Sequence, residues 1–282
     1  MAGVYAKGYL PDTAERRGQK DARALMKRSL ALPLAASLEA LEHPILDQND
    51  CGSCTGHGTA QGVYVALAAD GHALGFFPSP KLIYALARGL GRAKENPTAK
   101  ALPALLDEGA YPADAMRAIS EFGVAPMVAP SPRGYRTDVD PSNVFREPDL
   151  GALTQAAKRI VTGEYRIDER AADFVDQVCH TLAFGGASGK GAPVGIGVFV
   201  DQEFEAWSPS QGPVDTVNLA DRNGGGHWLV ITSYCTLSSG VRVFRGPNSW
   251  TESWGDQGHF EVTEAWLRKA CSDCYPMTVR LA

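Results

Sequence analysis

The 282-residue chain is short of the features that mark several large classes of protein. Its six cysteines (51, 54, 179, 235, 271 and 274) are too few for a disulfide scaffold of this length. Basic residues never run beyond two in a row, and 27 Lys and Arg against 32 Asp and Glu leave a net charge of −5. A groove for nucleic acid or an anionic membrane wants the opposite sign, so neither is expected as a partner. The most apolar uncharged runs, residues 29–38 and 191–200, are too short to span a bilayer. No period of about 20 to 50 residues repeats, which argues against a solenoid. The N-terminal MAGVYAKGYLPDTAERRG lacks the apolar core of a secretion signal, so a cytoplasmic location is the default expectation. Residues 26–40 imitate such a signal further in, and are expected instead to pack on the body of the fold.

What remains is ordinary globular composition, 44% hydrophobic and 21% charged. The first half reads helical. Residues 54–69 carry Val63 and Leu67 with a line of small residues, Gly58 and Gly62, which suggests a helix packed closely on its neighbours. Ser79 caps and Pro80 opens a second helix, to about residue 90. Pro112 opens a third, with Met116, Ile119 and Phe122 on one face and Gly123 as its stop. Residues 126–146 are rich in proline and polar groups, as a crossing between lobes would be. Amphipathic stretches follow at 149–160 and 168–184. After residue 191 strands are expected at 194–200, 228–235, 241–245, 258–262 and 277–281. Helices first and strands later predicts an α+β protein of two lobes with a cleft between them.

Three separated segments carry chemistry. Gln48-Asn-Asp-Cys51-Gly-Ser-Cys54-Thr-Gly-His57 ends at a helix start, where the dipole and free N–H groups favour a thiolate. Gly224-Gly-Gly-His227-Trp-Leu-Val-Ile leads a histidine into an apolar strand. Gly246-Pro-Asn248-Ser-Trp250-Thr-Glu-Ser-Trp254-Gly255-Asp-Gln-Gly258 follows. A cysteine, a histidine and an asparagine have a joint use as nucleophile, general base and orienter of the imidazole.

Together these segments resemble the papain-like cysteine peptidases. Gln48 and Cys54 have the family's spacing, Gly226-His227 matches its Gly-His, and residues 248–258 match its Asn-Ser-Trp-Gly-x-x-Trp-Gly-x-x-Gly with Thr251 for the first glycine. Glu108-Gly109-Ala110-Tyr111-Pro112 is similar to the Asn-Gly-Gly-Tyr-Pro that lines the family's substrate cleft. Gly8-Tyr-Leu-Pro-Asp12, with Arg16-Arg17 behind it, resembles a bacterial and phage-type branch.

The resemblance implies a two-lobed fold, with a helical left lobe at about 48–125 and a β-rich right lobe at about 126–282. The peptidase domain would span 30–282, behind an N-terminal extension of residues 1–29. It implies Cys54 as nucleophile, His227 as base, Asn248 as its orienter, and Gln48 with the Cys54 N–H as oxyanion donors. Trp250 would shield the His–Asn bond, and Gly109, Ala110, Tyr111, Pro112, Gly226 and Trp228 would line the substrate cleft. A peptide or protein is the implied substrate, with no cofactor and no metal.

Departures accompany the matches. Thr55 stands where the family usually has Trp, and Trp228 where it usually has a small residue lining the pocket for the second acyl-side residue. The cysteine that normally bridges to Cys51 would fall near Asp107. Residues 5–11 of the extension are long enough to cross an interlobe cleft, so a self-contact there stands beside a surface-packed tail. Cys51-x-x-Cys54 also allows a dithiol redox motif, or a four-cysteine zinc site with Cys271-x-x-Cys274. The same triad serves transamidases, ligases and amide hydrolases, and the fold serves binding proteins of low turnover. His57, one turn beyond Cys54, is expected as a packing residue or one that supports the site.

Overall fold

The computed structural model describes residues 7–16, 20–25, 30–95, 107–127, 160–162 and 165–281. The stretch 149–160 expected as helical, most of the proline-rich crossing, Tyr5 and Arg17 lie outside the described residues.

Helix α1, Cys54–Ala69, is the pivot. It is buried on nearly every side, as a helix apolar all round must be. Its glycines explain how: a Cβ at Gly56 would overlap the carbonyl of Pro80, one at Gly58 the Trp228 indole, and one at Gly62 the Met277 side chain. Pro80 therefore packs on one side, while Trp228 and Met277 stack one turn apart along another face. α2, Pro80–Glu95, starts as expected, with Leu82 N donating to Ser79 Oγ at 3.2 Å, but runs a turn further. α3, Pro112–Phe122, ends at Gly123, whose φ of 79° is open to glycine. These three helices share a core of Val63, Leu67, Ile83, Met116 and Ile119. Met277 and Val279 join it from the far end of the chain.

The second core belongs to the sheets. β1, Lys20–Asp21, and β2, Ala35–Ser37, precede α1 in the chain yet pack on this side of the molecule. β3, Ile160–Thr162, and β4, Tyr165–Arg166, follow the helices. α4, Phe174–Phe184, then leads to β5, Val194–Val200, and the single turn α5, Gln202–Glu205. β6, Gly225–Ile231, β7, Ser233–Thr236, β8, Arg242–Pro247, and β9, His259–Thr263, come next. α6, Glu264–Ala270, β10, Cys271–Pro276, and β11, Val279–Leu281, complete the described chain. Sheets run in the orders β10-β5-β6 and β2-β7-β8-β9, with pairs β11-β3 and β1-β4. The core between them gathers Phe174, Val178, Val198, Phe204, Phe244, Trp250, Trp254 and Trp266.

Three sequence expectations change. The strand expected at 228–235 is two strands broken at buried Thr232, whose N–H turns to the Arg245 carbonyl at 3.0 Å. β6 begins at Gly225, so His227 lies inside a strand, paired with Val198, rather than opening one. The strand expected at 277–281 shortens to β11, and β10 precedes it, over residues where no strand is expected. Among the described residues no helix is long and apolar enough to cross a membrane.

Candidate active site

Between the two cores lies a third, small cluster: Tyr9, Cys54, Trp228 and Tyr275. It is where α1 meets β6, and of the expected site residues it holds Cys54 and Trp228, with His227 next to Trp228 in the strand.

Cys54 is the first residue of α1 and is fully buried. Burial pushes its thiol up, while main-chain hydrogen bonds from Trp228 and Gly8 pull it back. The Trp228 contact places the sulfur beside the strand residue that follows His227. His227 Nε2 meets Asn248 Oδ1 at 2.8 Å, and that oxygen also accepts the Ser249 N–H at 2.8 Å. Trp250 stacks on the imidazole, with centroids 4.5 Å apart and planes at 21°. Burial brings His227 down to about 4 against the support of Asn248, so at neutral pH the ring is uncharged. The bond to Asn248 leaves Nδ1 as the ring nitrogen without a hydrogen bond among the described residues.

Gln48 is tied into the same frame. Its Nε2 donates to the Cys51 carbonyl at 2.8 Å, its Oε1 accepts from Ser249 Oγ at 2.5 Å, and its N–H donates to the Ser249 carbonyl at 2.9 Å. Gln48, Ser249, Asn248, His227 and Trp250 therefore form one bonded and stacked unit, and Cys54 meets it only through the main chain of Trp228, the neighbour of His227.

Cys51 is a free thiol, as are all six cysteines. Where a bridge to it would need a partner, the Asp107 carboxylate sits 3.8 Å from its sulfur. That carboxylate accepts the Gly52 N–H at 2.9 and 3.1 Å and the Tyr84 hydroxyl at 2.6 Å. A hydrogen-bonded hub replaces the crosslink.

Residues 7–12 run through the cleft in extended form. Ala110 N donates to Gly8 O at 2.8 Å and Leu10 N to Ala110 O at 3.1 Å, a parallel bridge to the helical-lobe wall. Tyr9 N donates to Gly226 O at 3.3 Å on the opposite wall. A Cβ at Gly8 would overlap the Gly52 carbonyl, and one at Gly109 would overlap Gly8 O, so both strands need glycine for this approach. The Tyr9 ring enters a recess made by Gly197, Gly226, Trp228 and Tyr275, and its hydroxyl donates to Asp273. At its ends the segment is pinned to both lobes. Lys7 pairs with Glu205, and Arg16 pairs with Asp114 at 3.0 Å while lying 3.7 Å over the Tyr111 ring.

The expected cleft residues therefore separate by role. Gly109, Ala110 and Gly226 present main chain to the groove. Tyr111 supports Arg16, and Pro112 is the first residue of α3. Trp228 does touch Tyr9, but its indole is wedged into the interior, where Gly58 and Gly195 make room for it. It thereby also packs α1 against β5. His57 is buried, with Nδ1 3.0 Å from the Ser53 carbonyl, and burial lowers it to about 4. It borders a cavity of about 20 Å³ shared with Trp228, Asn248 and Gly58, room for a single water. Among the described residues no three His, Cys, Asp or Glu side chains converge as metal ligands. The sequence reading missed Asp273 and Tyr275, the floor of the recess. A lone carboxylate beside the otherwise apolar run Cys274-Tyr-Pro-Met was the available signal.

No protein-family profile matches the sequence, and no curated protein sequence matches it. Solved structures do. Xylellain, a cysteine protease from Xylella fastidiosa, is similar at TM-score 0.69 and 21% identity, over 99% of this chain and 97% of that one. ProCathepsin B S9 from Trypanosoma congolense is similar at TM-score 0.65 and 15% identity, over 98% and 87%. Procathepsin L2 proteinase from the larval midgut of Tenebrio molitor gives 0.64 and 18%, over 97% and 78%. The chain has the fold of the papain-like cysteine proteases.

Proposed function

We propose that the protein is a cysteine peptidase, cleaving peptide bonds through a thioester on Cys54. The observation that carries this reading is the extended segment bonded by its main chain to both walls of the cleft, with Gly8 against the Cys54 sulfur. A groove that grips main chain on two sides is suited to polypeptide of varied sequence. The His227–Asn248 bond beneath Trp250 supports a base held in one orientation and kept dry.

With a substrate in the groove, His227 Nδ1 takes the Cys54 proton as the sulfur attacks the carbonyl carbon. The developing oxyanion is held by the Cys54 N–H and the Gln48 amide, each donor worth roughly 3 kcal/mol. Collapse breaks the C–N bond, and the imidazolium delivers its proton to the departing amine. Water, deprotonated by the same ring, then splits the thioester and returns the thiol.

Residues 7–12 fill the groove that this substrate needs, so the full chain is a self-blocked form. Their burial of the site also holds the thiol protonated and His227 neutral, away from the reactive ion pair. The near-complete mutual coverage with xylellain favours the bacterial branch over the longer procathepsins. The test is turnover of a peptide library with mass-spectrometric detection of thiol-probe adducts. Cys54→Ala is expected to abolish both, and Cys51→Ser to keep substantial activity. The reverse pattern sinks the assignment.

A further inference from the structure

The latch that seats residues 7–12 contains two carboxyl groups, and the cation that reaches it, Arg166, meets Asp273 rather than Asp12. Asp12 N donates to Asp273 Oδ2 at 2.9 Å, the Tyr9 hydroxyl donates to the same oxygen, and the Tyr275 hydroxyl donates to Asp12 Oδ2. Asp12 and Asp273 are 3% and 0% exposed, so both carboxyls share one dry tyrosine-walled chamber. Asp12 Oδ1 is buried and makes no hydrogen bond of good geometry, the main-chain amide at Ala113 in the first turn of α3 being its one weak support among the described residues. Burying a carboxylate beside a second carboxylate is costly, whereas the neutral acid is neither repelled nor stripped of a charge's hydration.

We propose that residues 7–12 seat only when Asp12 carries a proton opposite the Asp273 carboxylate, so that acid closes the cleft and rising pH opens it. The proposal rests on reading this segment as the self-block of the cleft.

The groups around Asp12 pull both ways, and the balance favours the proton. On β10, Asp273 repels a charge on Asp12, and Tyr275 can steady one by its single bond. Beside them, Arg166 reaches Asp273 Oδ1 at 3.4 Å and is shared with Glu169, so its charge is already met. From α3, Asp114 adds a further repulsion, with Arg16 bound to it rather than to Asp12. The main chain at Ala113 favours the charged form. Cys271 and Cys274, also on β10, bring no positive charge. Among the described residues no Lys, Arg or His lies in ion-pair contact with Asp12. Burial, the largest influence, and Asp273 outweigh the opposing bonds and raise Asp12 to about 7.

The sign follows from comparing the two states. In the open segment Asp12 meets water and titrates in the ordinary carboxylate range, near 4. Below that range it is protonated in both states and closure is uncharged. As pH rises toward about 7 the open form loses its proton while the closed form keeps one, so opening is progressively favoured. Above about 7 closure must bury two carboxylates and gains nothing more from further alkali.

Three amides report seating directly, since Tyr9, Leu10 and Asp12 N–H are all bonded only while the segment is in place. Hydrogen exchange over residues 7–12 of the full chain, corrected for intrinsic rate, is expected to show opening increase roughly thirtyfold from about pH 5.5 to about pH 8.5. Asp12→Asn mimics the protonated acid and is expected to remain seated at both. His227 and the thiol are uncovered alike in both proteins, so the difference isolates Asp12. Should D12N fold poorly, Asp273→Asn is expected to flatten the profile in the same direction. Equal protection of the wild type at both pH values, or an unchanged pH response in these variants, overturns the proposal. Exchange is read without turnover, so a protein that cleaves no peptide leaves this result standing or falling separately.

Discussion

The two walls of the cleft hold the same segment by different physics. The helical-lobe wall uses main chain and the absence of side chains: Ala110 bridges Gly8 and Leu10, and Gly8, Gly52 and Gly109 touch backbone to backbone. The β-lobe wall uses side chains: the Tyr9 ring in its recess, and phenols and carboxyls meeting at Asp273 and Tyr275. The first set of contacts depends on backbone alone, and the second on the identity of the side chains. The proposed site divides along the same line, with Cys54 at the start of α1 and His227 in β6, Asn248 following the end of β8.

The largest expected effect probes the junction of the walls. Trp228 is 1% exposed, and its ring fills the gap that Gly58 and Gly195 leave between α1 and β5. Trp228→Ala is expected to cost about 3–5 kcal/mol in denaturant unfolding. A loss under about 1 kcal/mol, with a broader substrate preference, would instead make the indole a pocket wall.

Next comes the helical-lobe contact. Gly8→Val cannot keep the Gly52 approach, so the segment should lift and the initial rate on a short peptide rise at least about tenfold. An unchanged rate at equal stability means that residues 7–12 do not limit entry. The smallest effect concerns the loop that supports the base. Thr251 holds a φ of 68°, a strained setting for a β-branched residue, with Oγ1 2.7 Å from Ser253 Oγ as partial compensation. Thr251→Gly is expected to stabilise the protein by about 1 kcal/mol in the same unfolding assay. A destabilisation would show that the hydroxyl bond outweighs the strain.

Thr251 also shows what was legible beforehand. Its exchange for glycine stood out against the motif, and the backbone angle supplies the reason that the motif has glycine there. The helix starts at Pro80 and Pro112 were readable because capping and proline chemistry are local. Gln48, Cys54, His227 and Asn248 could be singled out as a group because each sits in a distinctive run, although 173 positions separate Cys54 from His227. What escaped notice was set by long-range packing. Asp273 lies 261 positions from Asp12, and β10 is a strand because it pairs with β5. That Trp228 also fills the space left by Gly58 and Gly195 was not readable, because nothing local reveals that they would face it.

Asp107 has a consequence for handling and for endurance. A thiol nucleophile has to be kept from oxidising, and the reductant that protects it also opens exposed disulfides. The loop carrying Cys51 and Gly52 is fastened here by a carboxylate to an amide and a phenol, none of which exchanges electrons. Conditions that keep Cys54 competent leave its anchorage untouched, and fastening and reactivity are uncoupled at adjacent positions of one short loop.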